Sequence, residues 1–255
     1  MKKFTAISIL ILLTLCIGVL SGCNEEAYDL YQKMNAAMAD VKSSDMDISM
    51  IMDMKVSGQT IKTKTNGNVK QVKKSATDFD MEMNITTSVM GMEVPVVGYY
   101  TDGVFYTETS GMKIKMAMSV EEAMKQAGNT EMLEFPESAI KEVKVTNADG
   151  GKKLEFTLDG KAIKSLTQDV LESMQSMYPD ITAENLKMDI EDVICEAVTD
   201  KNNMMKSYHM VYDTTMDIMG ESMSMKMDMT ITANSYDDVK VNLPDDLDTY
   251  EEFDL

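Results

Sequence analysis

Residues 45–57 read DMDISMIMDMKVS, a two-residue alternation of apolar and polar side chains that decides the fold. Its apolar members are Met46, Ile48, Met50, Met52, Met54 and Val56. Successive side chains of a β-strand point to opposite faces of the sheet, so this spacing places all six on one face. We predict a strand that is buried on one side.

A second stretch with the same period lies near the end of the chain. In residues 222–232 polar residues alternate with Met223, Met225, Met227, Met229 and Ile231. The whole chain holds 28 methionines but 6 phenylalanines and no tryptophan, so methionine supplies much of the apolar volume. Its flexible thioether side chain fills irregular gaps and suits surfaces that accept varied apolar partners.

Other alternating runs indicate further strands. We predict them at 60–72, 77–90, 93–101, 104–109, 112–118, 142–146, 153–158, 186–198, 204–216 and 239–243. Short turns such as Asp102-Gly103 and Ser110-Gly111 separate many of them. Such short connections require antiparallel pairing, because parallel neighbours need long crossovers. The acidic end of the chain, residues 245–255, is predicted to be frayed.

Two segments change to the helical period. Residues 25–42 carry apolar side chains at three- and four-residue steps, beginning with Ala27, Leu30, Tyr31 and Met34, and residues 161–177 repeat the pattern. This spacing is typical of an amphipathic helix with one buried stripe. A shorter helix is predicted at 120–127.

The first 23 residues have the layout of an export signal. Lys2 and Lys3 precede an apolar run at 4–20, and the segment ends in Leu20-Ser21-Gly22-Cys23. This ending resembles the lipobox of bacterial lipoproteins. The resemblance implies removal of residues 1–22 and attachment of acyl chains to Cys23. An uncleaved membrane anchor and a plain secretory signal are the alternatives; the run is short for a span of about 20 residues, and the cysteine favours the lipoprotein.

Composition excludes several classes of function. The net charge is −19, and every basic residue is a lysine, which makes nucleic-acid or phosphate binding a poor fit. Of the three cysteines, Cys16 would leave with the signal and Cys23 would carry lipid. Cys195 alone would remain, so we expect no disulfide and a buried thiol. His209 is the single histidine and is predicted to face solvent.

The methionine rows allow two interpretations. Soft thioethers are ligands for Cu(I), but a strict two-residue step along whole strands favours a core or a cavity lining over a copper site. We predict no metal site, no cofactor and no catalytic set. The predicted lining is Met46, Met50, Met52, Met54, Met223, Met225, Met227 and Met229.

The order of elements resembles the LolA/LppX-like carriers: a lipobox, an immediate helix, a long meander, interrupting helices and a second meander. Uncharacterised lipoproteins of low-GC Gram-positive bacteria also look similar, through the helix that opens at 27–34 and the closing segment 239–244. The resemblance spans nearly all of residues 24–250. It implies a curved sheet closed by helices over an apolar cavity, and no site residue beyond Cys23. Known carriers of this class line their cavities with mixed aliphatic and aromatic residues, whereas this chain would use methionine. The resemblance therefore does not indicate which ligand the chain binds.

These observations lead to one expectation for the chain. Residues 23–255 should form a single α+β domain: a strongly curved antiparallel half-barrel with helices 25–42 and 161–177 on its concave face. We expect a non-enzymatic lipoprotein, held to the outer face of the cell membrane through Cys23, that binds or carries an apolar ligand such as a lipid. An envelope scaffold with a fully packed core is the alternative.

Overall fold

The computed structural model describes residues 25–56, 58–75, 78–117, 139–148, 150–161, 186–218 and 221–252. Helix α1 spans Glu25–Ala39, and a 3-10 turn spans Leu247–Thr249. The strands are β1 (Ser43–Val56), β2 (Gln59–Lys73), β3 (Phe79–Val89), β4 (Met92–Thr101), β5 (Val104–Thr109), β6 (Met112–Ala117), β7 (Ile140–Ala148), β8 (Gly151–Leu158), β9 (Leu186–Ile190), β10 (Val193–Thr199), β11 (Met205–Ile218), β12 (Glu221–Tyr236) and β13 (Glu251–Glu252).

The strands form one large curved and unclosed sheet in the order β13-β6-β5-β4-β3-β2-β1-β12-β11-β10-β8-β7, with β9 paired to β11. Strands β1 to β6 make one meander and β7 to β12 make the other. The two meanders meet where β1 pairs antiparallel with β12. Short turns impose this arrangement, as predicted, since Asp102-Gly103 and Ser110-Gly111 adopt the positive φ angles of tight hairpins.

The pairing of β1 with β12 brings the two methionine rows together. Met50 lies opposite Met229, Met52 opposite Met227 and Met54 opposite Met225. We call the face that carries these residues the inner face and the other the outer face. Both strands had been predicted with this period, and the inner face is the buried one at Ile48, Met50, Met227, Met229 and Ile231.

The core extends from the inner face of both meanders to helix α1. Leu30, Tyr31 and Met34 belong to one buried cluster with Met83 of β3 and Leu154 of β8. The helix lies near β7 at the end of the sheet order. Its three- and four-residue steps therefore bury one stripe, as predicted, although it ends at Ala39 and not at residue 42. The predicted helices 120–127 and 161–177 lie outside the described residues, apart from residue 161.

One predicted strand is broken in two. Residues 186–198 form β9 and β10, interrupted at Glu191 and Asp192. The Asp192 carboxylate accepts hydrogen bonds from Lys141 Nζ at 2.7 Å and from the Gly160 amide at 3.2 Å. The lysine ammonium holds the pKa of that carboxyl below its usual range. The register against β11 shifts by one residue between β9 and β10, so Glu191 and Asp192 interrupt the strand as a bulge does. The bonds from Lys141 and Gly160 tie this break to the start of β7 and to the residues just after β8.

The end of the chain corrects two predictions. Residues 239–243 are not a strand, because their backbone amides bond to side chains: Val239 to Ser43 Oγ and Asn242 to Glu82 Oε2. Residues 245–252 are not frayed. We call residues 237–252 the C-terminal strap. It runs from the end of β12 over the outer face to β6, where Asp246 pairs with Lys113 and β13 adds a short parallel strand.

Candidate apolar binding face

The eight predicted lining methionines all stand on the inner face, on β1 and β12, but they are not equally covered. Met50, Met227 and Met229 are buried, with 8%, 6% and 1% of their surface exposed. The other five are half-buried: Met46, Met52, Met54, Met223 and Met225. Four of these five lie toward the β1–β2 and β11–β12 turns. We call the inner-face part of β1 and β12 that holds Met52, Met54, Met223 and Met225 the open half.

The apolar surface continues beyond the predicted residues, onto the tips of two neighbouring hairpins. Met92 and Met112 are 67% and 48% exposed, and Val94 is 37% exposed. The register places Met92 opposite Val89, Val94 opposite Thr87 and Met112 opposite Thr109, which are inner-face positions. Sequence reasoning missed these three as lining residues. The alternation in residues 92–101 was visible, but the side on which it faces depends on pairing with β3.

The inner face is chemically neutral where it is least covered. Its positions on β1, on β3, on β12 from residue 223 to 231 and on β11 from residue 208 to 218 hold no acidic or basic side chain. The register places one charged residue, Glu221, at the first position of β12, opposite Ile218. The hydroxyls among them are paired: Thr65 and Thr87 lie 3.1 Å apart, and Thr214 Oγ1 donates to the Asp189 carbonyl at 3.2 Å. A surface of thioethers and satisfied hydroxyls favours an apolar ligand and offers little to the charged headgroup of a lipid.

The charged side chains of the central strands lie on the outer face. There His209 Nε2 is 3.0 Å from Asp228 Oδ1, Lys62 pairs with Asp53 at 3.3 Å, and Lys153 pairs with Glu196 at 2.7 Å. These pairs are largely solvated, and exposed pairs contribute little to stability. His209, with 41% of its side chain exposed, lies on the face opposite to the methionines, as predicted. It is not positioned to act on anything bound at the inner face.

Cys195 is buried, as predicted, with 1% of its surface exposed. The Tyr208 hydroxyl donates to its sulfur at 3.2 Å, but burial is the larger influence and raises the pKa of the thiol to about 12. Because the thiolate is the reactive form, the folded protein holds this cysteine inert at neutral pH.

We therefore expect a thiol reagent such as iodoacetamide to label Cys195 at pH 8 only when the chain unfolds. Labelling followed by mass spectrometry, with and without urea, checks this. The expected native labelling rate is the rate for the unfolded chain multiplied by the small fraction of open molecules, so it is suppressed by orders of magnitude. Rapid labelling of the folded protein would contradict the burial of this strand.

Neither a metal centre of the common type nor a membrane-spanning helix occurs in the described part of the chain. Within those ranges no three His, Cys, Asp or Glu side chains are grouped so as to hold a metal ion. None of the helices there has the length and hydropathy needed to traverse a bilayer. Cys23 lies outside the described residues, so its lipidation stays a prediction.

Residues 26–249 match the profile of a family of unknown function, DUF6612. The chain belongs to this family. Among curated proteins, none matched its sequence. The DUF6612 match runs from α1 to the C-terminal strap and so includes both meanders.

Solved structures with a similar course of the chain are distant from this DUF6612 member. LprF from Mycobacterium bovis is 9% identical, with a TM-score of 0.43 over 88% of this chain and 99% of LprF. A structure described by its lipid–protein interactions, lipovitellin, is 8% identical, with a TM-score of 0.36 over 79% of this chain and 26% of lipovitellin.

A third similar structure is an outer membrane lipoprotein-sorting protein domain from Vibrio parahaemolyticus. It is 8% identical, with a TM-score of 0.26 over 87% of this chain and 95% of that domain.

Proposed function

We propose that this protein is a lipid-anchored extracytoplasmic protein, without enzymatic activity, that binds or carries an apolar ligand such as a lipid on the inner face of its sheet. One observation carries the proposal. The open half of the inner face is lined by methionine, yet Met52, Met54, Met223 and Met225 are only half-buried. Contiguous apolar surface that remains uncovered in a soluble domain commonly marks a ligand or interaction site.

The magnitude of the uncovered surface supports this. Burial of one methionine side chain contributes about 1.5–3 kcal/mol relative to full exposure, so the exposed minor part of these four side chains leaves on the order of 1–4 kcal/mol of apolar contact available to a ligand. Unbranched side chains with three rotatable bonds adapt to an acyl chain of no fixed shape. Neutral surroundings favour the hydrocarbon part of a lipid over its headgroup.

Helix packing over the concave face completes the proposed site. Helix α1 supports it, since Leu30, Tyr31 and Met34 share one core cluster with inner-face residues. The sequence predicts a second helix at 161–177, which would begin three residues after the end of β8 at Leu158. Two helices laid on one face of a curved sheet would enclose the ligand between them and the methionine rows.

The proposed anchor agrees with the charge of the chain. An acidic protein of net charge −19 is repelled by an anionic membrane surface, so acyl chains on Cys23 would have to hold it there. Two or three acyl chains bind a bilayer stably, whereas one binds only marginally. Helix α1 begins at Glu25, two residues after Cys23, which would keep the folded body close to the membrane.

Lipid extraction tests the proposal. The chain from Asn24 onward, made without the signal, is expected to co-purify with lipid that mass spectrometry detects, or to take up a fluorescent fatty acid. The double variant Met54→Gln/Met225→Gln should weaken uptake at least about tenfold, because a loss of about 1.4 kcal/mol of contact corresponds to one decade. Ile194→Gln is the matched control, since Ile194 is apolar and 61% exposed but lies on the outer face.

Two outcomes would count against the proposal. Uptake that falls equally in the Ile194→Gln control would place the ligand elsewhere. Absence of both co-purified lipid and probe uptake would favour an envelope scaffold, which the tight packing of Met50, Met227 and Met229 would also serve.

A further inference from the structure

Methionines from four strands, β1, β12, β11 and β9, lie side by side at the open half of the inner face. Met54 of β1 lies opposite Met225 of β12, and Met223 of β12 lies opposite Met216 of β11. Met188 of β9 continues the second row, opposite Met216. All five are half-buried. We call Met54, Met216, Met223 and Met225 the thioether cluster.

The spacing lets these sulfur atoms converge. Residues directly opposite each other on neighbouring strands have Cβ atoms about 4.5–5.5 Å apart. Met223 and Met225 are two residues apart on one strand, a separation of about 6.6 Å at 3.3 Å per residue. A methionine side chain has three rotatable bonds, so three sulfur atoms can approach one point above the sheet without a change in the backbone: those of Met223, Met225 and either Met54 or Met216. Met54 and Met216 lie two strands apart, so they would serve as alternative third ligands.

We propose that the thioether cluster binds a soft monovalent metal ion, Cu(I) or Ag(I). Soft sulfur ligands select Cu(I), whereas Mg²⁺ and Ca²⁺ require oxygen ligands. The inner-face register includes one acidic residue near the cluster, Glu221 opposite Ile218, and one carboxylate falls short of the about six to eight oxygen ligands that Ca²⁺ takes. The acidic chain attracts cations in general, which raises their local concentration.

Pairing across strands is what separates this cluster from a simple apolar row. A two-residue step along one strand places methionines about 6.6 Å apart, which suits a core. Methionines that lie directly opposite each other on β1, β12 and β11 add pairs with Cβ atoms only about 4.5–5.5 Å apart. These side chains are half-buried, unlike those in the packed core around Met229. A metal ion can enter there.

A thioether site has a distinctive dependence on pH. Thioethers carry no proton in the working range, so metal binding displaces none and affinity should be constant between pH 5.5 and about 8. Imidazole and thiol ligands must lose a proton, so their affinity rises with pH. His209 lies on the outer face, and Cys195 is buried with a strongly raised pKa.

Titration with Ag(I), or with Cu(I) under reducing conditions and with a competing chelator, tests the proposal on the chain from Asn24 onward. We expect one ion per chain and a flat pH profile. The variants Met54→Leu/Met225→Leu and Met216→Leu/Met223→Leu should each lose at least tenfold in affinity. Met92→Leu/Met112→Leu, which changes two exposed methionines outside the cluster, should bind as the native chain does.

Leucine preserves apolar volume, so these variants should fold, which circular dichroism checks. Uptake of the fatty-acid probe is measured on the native chain, separately from metal binding, so failure of this proposal is distinguished from failure of the proposed function. The proposal is overturned if no stoichiometric ion binds, if the cluster variants bind like the control, or if affinity rises with pH as a thiol or imidazole site requires.

Discussion

Replacing Met229 by alanine is expected to lower the free energy of unfolding by about 2–5 kcal/mol, the range for removal of a large side chain from a packed core. Met229 is 1% exposed and lies between Met50 of β1 and Met210 of β11, both of them buried. Its side chain therefore contacts neighbours from three strands where the two meanders join. Surrounding strands cannot collapse into the gap without a loss of their own register.

Urea unfolding followed by circular dichroism measures this change. Met92→Ala is the control, because Met92 is 67% exposed and a surface substitution is expected to stay within about 0.5 kcal/mol. A loss below about 1 kcal/mol for Met229→Ala would mean that the junction of the meanders is loosely packed. That result would extend the open half into the region described here as core.

Tyr250→Ala is expected to destabilise the protein by about 3 kcal/mol, at the lower end of the range for aromatic residues cut back to alanine. Tyr250 is 3% exposed, although only five residues of the sequence follow it. Its ring meets the edge of Tyr106 at 5.4 Å between centroids, and Lys113 Nζ lies 5.4 Å above it. These contacts hold the C-terminal strap against the outer face.

Urea unfolding and limited proteolysis together test the strap. Loss of Tyr250 should expose residues 237–252 to cleavage before the sheet unfolds, since the remaining contacts of the strap are mostly polar. Tyr250→Phe retains the ring and should cost less than about 1 kcal/mol. Equal effects of the two substitutions would show that the hydroxyl, and not ring packing, holds the strap.

The course of both meanders could be predicted because their signals are local. Alternation from residue 45 to 57 and from 222 to 232 reports which side of each strand is buried, and turn residues such as Asp102-Gly103 report where the chain reverses. Helix α1 was visible for the same reason, through steps of three and four residues. In each case neighbours along the chain carry the information.

The prediction failed where long-range partners decide the conformation. Residues 239–243 alternate like a strand, but they meet Ser43 and Glu82, far away in the sequence, and follow the outer face as a strap. Residues 245–255 looked frayed because they are acidic, yet Lys113 and Tyr106 hold Asp246 and Tyr250. The break at Glu191 and Asp192 depends likewise on Lys141 and Gly160.

The candidate site was likewise predictable only where the signal is local in the sequence. From its amino acids alone, the chain is an alternating, methionine-rich and strongly acidic β-protein, and the period of each strand assigns eight methionines to one face. Periodicity does not report how well each side chain is covered, so it could not separate the buried Met229 from the half-buried Met225 four residues earlier. Strand pairing decides which thioethers are packed, which remain open and which lie beside Met216. The reason is that burial depends on the neighbours that folding brings to each side chain.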